Sequence, residues 1–67
     1  MKIEIGTVLI ANNPCKMKDF DFEALIVGKE YPVHAIFKNE AIINSEFTDN
    51  HHFDIDELDL YFTIKSN

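Results

Sequence analysis

Two alternating runs around a short break constrain this chain more than any other feature. "YPVHAIF" sets Tyr31, Val33, Ala35 and Phe37 on one side of an extended chain, and Pro32, His34 and Ile36 on the other. "KNE" interrupts the alternation, and Asn39 suits a tight hairpin turn. The return, "AIINSEF", sets Ala41, Ile43, Ser45 and Phe47 on one face and Glu40, Ile42, Asn44 and Glu46 on the other. Period-two patterning on both sides of a turn is a β-hairpin. A lone hairpin is marginal in water, so the rest of the chain must cover its apolar face.

The flanking segments supply that cover. "KIEIGTVLIA" alternates twice, with a parity switch at Gly6 that predicts a bend or bulge in one strand. "NNPC" reads as a turn. Residues 15–27, "CKMKDFDFEALIV", fit strand and helix spacing about equally and are read as a long, partly extended excursion returning through "EALIV". Gly28–Lys29 is a turn. Pro32, early in its strand, places its missing N–H at an unpaired edge or at the strand start. "TDNH" predicts a second hairpin turn, "HFDI" a short strand, and "DIDEL" a single helical turn with Asp56 as its N-cap. "LYFTI" closes the chain as a strand.

These elements predict an all-β fold: a small, partly open barrel of five or six short antiparallel strands, with one helical turn before the last strand. The expected core is Val8, Ile10, Tyr31, Val33, Phe37, Ile43, Phe47, Phe53, Leu58 and Phe62. Residues 1–67 make one domain, and a chain this short buries only about 60% of the surface its unfolded form exposes. It leaves no room for a catalytic cleft beside a core, so function is expected at the surface, and a homo-oligomer is expected over a monomer.

Several function classes drop out on composition. Six Phe and nine Ile argue against disorder. Cys15 is the sole cysteine, which excludes an intramolecular disulfide or a cysteine-rich zinc site. No apolar run approaches the ~20 residues of a membrane-spanning helix, and "MKIEIGTVLIANN" lacks the layout of a secretory signal. A cytoplasmic protein with no membrane partner is the expectation. The net charge of −6 lies entirely in residues 40–67, where seven acids face Lys65 alone; residues 1–39 balance five Lys against five acids. There is no arginine. Nucleic-acid binders draw affinity from Lys and Arg on phosphates, so direct binding of DNA or RNA is not expected.

The densest polar stretch, "TDNHHFDIDELDLYF", tests for chemistry. His51 and His52 are adjacent, so in a strand they point to opposite faces and cannot chelate one ion together. His52 shares a face with Asp54, but two ligands fall short of the three or four that zinc uses, and nothing in the pattern brings His34 to them. "DIDELD" has Asp59 where a calcium loop needs glycine. The carboxylates alternate with Ile55 and Leu58 and so form the solvated side of the pattern, without the burial that separates acid from base. Cys15 lies between turn residues and Lys16 and Lys18, which would lower its pKa, but it has no spaced partner. No catalytic residue, metal site or cofactor is expected.

"VGKEYPV", the hairpin that follows it, "HHFDIDELDLYF" and the long early excursion resemble the small SH3-like barrels of phage and mobile-element proteins. In those barrels a Gly-Lys-x-Tyr turn opens the second strand, and a His-x-Phe strand precedes a capped turn ending in Leu-x-x-Tyr/Phe. The resemblance covers about Gly28 to Phe62 and implies a fold rather than an activity. Two readings of function follow. One is a non-enzymatic interaction module that binds itself or a protein partner through a sheet face or edge. The other is a small acidic decoy, a phage-type counter-defence protein or DNA mimic that occupies a host nucleic-acid-binding protein. The candidate contact residues are Ile36, Ile42, Glu46, Asp54 and Glu57: two apolar side chains on the face opposite the expected core, and three acids beside them.

Overall fold

A computed structural model describes residues 3–15 and 23–65. Of the excursion expected over residues 15–27, residues 16–22 lie outside the described residues. Among the described residues, six short strands and one 3₁₀ helix follow in order: β1 (Val8–Ala11), β2 (Glu30–Pro32), β3 (Ala35–Phe37), β4 (Glu40–Ile43), β5 (His51–Asp54), the helix Ile55–Leu60, and β6 (Phe62–Ile64). They form two three-stranded antiparallel sheets, ordered β2-β1-β6 and β3-β4-β5. The chain is therefore all-β, with a 3₁₀ turn before its last strand, as the sequence predicted.

The expected single strand Tyr31–Phe37 is two strands in two sheets. Val33 still belongs to the first sheet's pattern: its N–H donates to Thr7 O at 2.8 Å, and its carbonyl accepts from Gly6 N–H at 2.8 Å. One residue later the chain has changed partner, and His34 N–H donates to Ile42 O at 3.0 Å. A strand that crosses between packed sheets must bend at the corner, and the bend costs one residue of parity. Tyr31 and Val33 point inward before the corner; Ile36 packs against the core after it, and Phe37 turns out to solvent.

The same parity logic corrects β1. Leu9 and Ala11 are buried, whereas the expected Val8 and Ile10 are only half-buried. Leu9 pairs with Tyr31 across β2 and Ala11 with Phe62 across β6, so these four share the inner face. The bulge or bend expected at Gly6 is present, since Gly6 N–H and Thr7 O both bond to Val33, but β1 itself begins only at Val8. Gly6 lies in a turn before β1, at φ +96°, a conformation that residues with a Cβ rarely adopt. Pro32 sits opposite Val8 on the edge strand β2. The flanking bonds Val33–Thr7 and Ala11–Lys29 make Val8↔Pro32 a non-hydrogen-bonded pair, so the ladder loses nothing at the proline.

The observed core joins Leu9, Ala11, Ala24, Leu25, Tyr31, Val33, Ala41, Ile43, Phe53, Leu58 and Phe62. Phe53 of one sheet meets Phe62 of the other edge to face, with ring centroids 5.2 Å apart. Phe62 in turn meets Tyr31 at 6.3 Å. Such aromatic contacts add about 0.5–1.5 kcal/mol each beyond the area they bury. Phe37 and Phe47, both expected in the core, are exposed. Strand β4 ends at Ile43, so Phe47 falls in the loop 44–50 rather than on a strand.

That loop is held by Ser45. Its hydroxyl oxygen accepts from Phe47 N–H at 3.1 Å and Thr48 N–H at 3.2 Å, the local side-chain-to-backbone closure that suits serine to turns. The 3₁₀ helix is capped by Asp54, not by the expected Asp56: Asp54 Oδ1 accepts from Asp56 N–H at 2.9 Å. The helix begins two residues earlier than the sequence suggested, so the cap falls on the last residue of β5. Ile55, Leu58 and Tyr61 recur every three residues, which eclipses them on one side of a 3₁₀ helix; all three are fully or partly buried.

Candidate interaction surface

The outward face of β3-β4-β5 is set by two rows of paired residues. Ala35, Ile42 and His52 form one, and Phe37, Glu40 and Asp54 the other. Because Ala41, Ile43 and Phe53 belong to the core, these alternate residues point away from it. Phe37 is 57% exposed on the edge strand, while Ile42 retains only 9%. His52 Nδ1 lies 3.2 Å from Glu40 Oε1, linking the two rows.

The hairpin tip beside this face is fixed in place. Phe37↔Glu40 closes a two-residue turn in which Lys38 takes φ +56°. Asn39 Nδ2 donates to Asp54 Oδ1 and to Asp56 Oδ2, both at 3.0 Å, and Asn39 O accepts from Ile55 N–H at 2.9 Å. The asparagine chosen for its turn propensity thus also ties the tip to the start of the 3₁₀ helix. The Lys38 ammonium lies 5.5 Å from the Phe37 ring centroid.

The five candidate residues from the sequence do not form one patch. Ile42 and Asp54 share the outward face, with Ile42 largely covered. Ile36 is partly buried and packs against the core rather than standing on the outward face, since the corner at Val33–His34 reverses its parity. Glu57 is exposed on the 3₁₀ helix. Glu46 sits on the loop 44–50, where its carboxylate accepts from Lys29 Nζ at 2.6 Å and from the Tyr31 hydroxyl at 2.9 Å. Sequence reasoning missed Phe37 as a surface residue, and the signal for it, a one-residue slip at a sheet corner, has no side-chain signature.

The Glu46 cluster is structural. The Tyr31 hydroxyl accepts from Ile26 N–H at 2.8 Å while donating to Glu46, and Glu46 N–H donates to Ala24 O at 2.8 Å. These bonds strap the loop to the segment before β2. Hydrogen bonds from Lys29 and Tyr31 hold the Glu46 carboxyl below its ordinary value. The bond to Glu46 raises Lys29, and burial raises Tyr31.

Two other titratable groups among the described residues are shifted. Burial pushes the Cys15 thiol up, opposite to the lowering expected from neighbouring lysines, so the reactive thiolate is disfavoured. His51 is lowered by burial and by His52; its ring stacks on Phe53 at 4.3 Å, and its Nδ1 lies 2.8 Å from Ser45 Oγ. Among the described residues, no group of three or more His, Cys, Asp or Glu side chains is placed to hold a metal ion. No helix among them is long and apolar enough to cross a membrane. Comparison with protein-family models, curated proteins and solved structures finds no match to this chain.

Proposed function

We propose that this chain is a non-enzymatic protein-interaction module on a partly open SH3-like barrel, and that it binds through edge strand β3 and the outward face beside it. The SH3-like reading is supported by the order of the described parts: a strand, a second that turns a corner between two sheets, two hairpins, a 3₁₀ turn and a closing strand. The observation that carries the binding reading is Phe37. A large aromatic side chain is 57% exposed on an edge strand, beside a rigidly clipped hairpin tip. Native proteins guard edges with charge, proline or cover; here Lys38 stands at the tip and the strand itself, Ala35–Phe37, is uncharged.

The alternative is an acidic decoy of a nucleic-acid-binding protein. In its favour are the exposed carboxylates of Asp54, Asp56, Glu57 and Asp59, gathered along the 3₁₀ helix and its cap. The two readings respond oppositely to salt. A decoy holds basic partners at low ionic strength and releases them at high; an edge-strand contact through Phe37 persists. The test is capture from host lysate at two salt concentrations with wild type and Phe37→Asp. A partner retained at high salt and lost with Phe37→Asp supports the module. A partner lost with salt and indifferent to Phe37→Asp overturns it in favour of the decoy.

A further inference from the structure

We infer that the partner of β3 is β3 of a second copy of this chain, paired antiparallel about a two-fold axis at Ile36. This rests on the reading of β3 as the binding element and names its occupant.

The first argument is the direction of the backbone groups. Ile55 N–H donates to Asn39 O across β4-β5, so the next hydrogen-bonded pair on that side is Ala41↔Phe53. Ala41 therefore turns its N–H and C=O toward β5. Ile42, one residue on, turns its carbonyl the other way, toward His34. Ile36, opposite Ala41, then has no ladder partner on β4, and its N–H and C=O point out from an edge that pairs with no other strand among the described residues. Two such edges related by a two-fold axis at Ile36 exchange both bonds at once, with each Ile36 serving the other.

The second argument is the fit of side chains. Pairing centred on Ile36 sets Phe37 of each copy opposite Ala35 of the other. Both side chains point to the outward face, and the large exposed ring lies over the smallest residue of the strand. The two Ile36 side chains meet on the inner face, where each already packs against its own core. The result is one continuous six-stranded sheet, an isologous contact that closes and leaves neither β3 edge free.

The third argument is charge. Each copy carries −6, but the net charge lies in residues 40–67, and Ala35–Phe37 contributes none of it. Lys38 of each copy faces His34 of the other at the ends of the pairing. Added salt therefore screens the general repulsion and tightens the dimer, the reverse of its effect on a contact with a basic partner.

The register gives a specific test. In a Cys15→Ser background, Ala35→Cys and Phe37→Cys chains are mixed under mild oxidation. Opposed residues in a non-hydrogen-bonded pair have Cα atoms about 4.5 Å apart, within disulfide reach, whereas two copies of the same variant sit on a diagonal of about 7–8 Å. The expected result is mixed disulfide formed at least several-fold faster than either homodisulfide, with sedimentation showing a concentration-dependent dimer that added salt strengthens. A monomer at high micromolar concentration, with no preference for the mixed disulfide, overturns the self-pairing and leaves the β3 reading to the Phe37→Asp capture test. A dimer without the mixed preference places self-association on another surface and overturns the self-pairing of β3, again leaving the β3 reading to the capture test.

Discussion

Replacing Tyr31 by phenylalanine isolates one oxygen atom. Tyr31 is 2% exposed, and its ring packs against Phe62, a contact that phenylalanine keeps. What leaves is a hydroxyl that accepts from Ile26 N–H at 2.8 Å and donates to Glu46 at 2.9 Å. Each such bond contributes about 1 kcal/mol net, and an amide left without its partner costs about 1–3 kcal/mol when buried. Ile26 is half-exposed and Glu46 keeps Lys29, so both losses fall at the low end, near ~2 kcal/mol together. A domain of this size loses roughly 4–8 °C of Tm per kcal/mol, which gives a fall of about 8–16 °C by thermal melting followed by circular dichroism. Glu46→Gln, which keeps an acceptor for the hydroxyl, is the control and should cost less. A Tyr31→Phe shift below about 3 °C would mean that water replaces the hydroxyl, and that the strap between the loop 44–50 and the segment before β2 does not stabilise the fold.

The remaining expectations concern protons, register and metals. His51 is held below its ordinary value of 6.5, so between the two pKa values the unfolded chain binds more protons than the folded one; stability is full above about pH 6.5 and falls as pH drops toward the folded pKa. Melting from pH 8 to pH 5 should show this fall, and His51→Gln should flatten it. Glu46, also lowered, adds a second loss at more acidic pH, below its ordinary 4.5, by the same sign. Ile36→Lys and Ile42→Lys should both destabilise, by ~2 kcal/mol or more, because Ile36 packs against the core and Ile42 is only 9% exposed; urea denaturation measures both. Zinc or calcium should leave Tm unchanged: a native-state site filled at ~100 times its dissociation constant would add about 2.7 kcal/mol, and an upward shift abolished by His52→Ala would show a metal site.

How far the sequence could be read depended on what each feature encodes. Turns carried their own chemistry, so the Lys38–Asn39 hairpin, the Gly28 turn and the 3₁₀ segment were legible from Asn, Gly and the spacing of Ile55 and Leu58. Faces within one strand were legible too: Ala41 and Ile43 inward and Ile42 outward follow from alternation in β4 alone. Relating one strand to the next failed wherever the backbone added or dropped a residue of parity without a side-chain marker. Val33–His34 is such a place, because the corner is made by exchanging the partners Thr7 and Ile42, which lie far apart in the chain. The apolar run from Val8 to Ala11 is the other, since every one of its residues is compatible with either face and only pairing with Tyr31 and Phe62 selects Leu9 and Ala11. The error at the corner was also where the candidate surface lay. Counting straight through from Tyr31 puts Phe37 in the core and Ile36 in solvent. Inserting one residue of slip exchanges them, leaves an aromatic ring on the outer strand of its sheet, and changes the surface residue to mutate from isoleucine to phenylalanine.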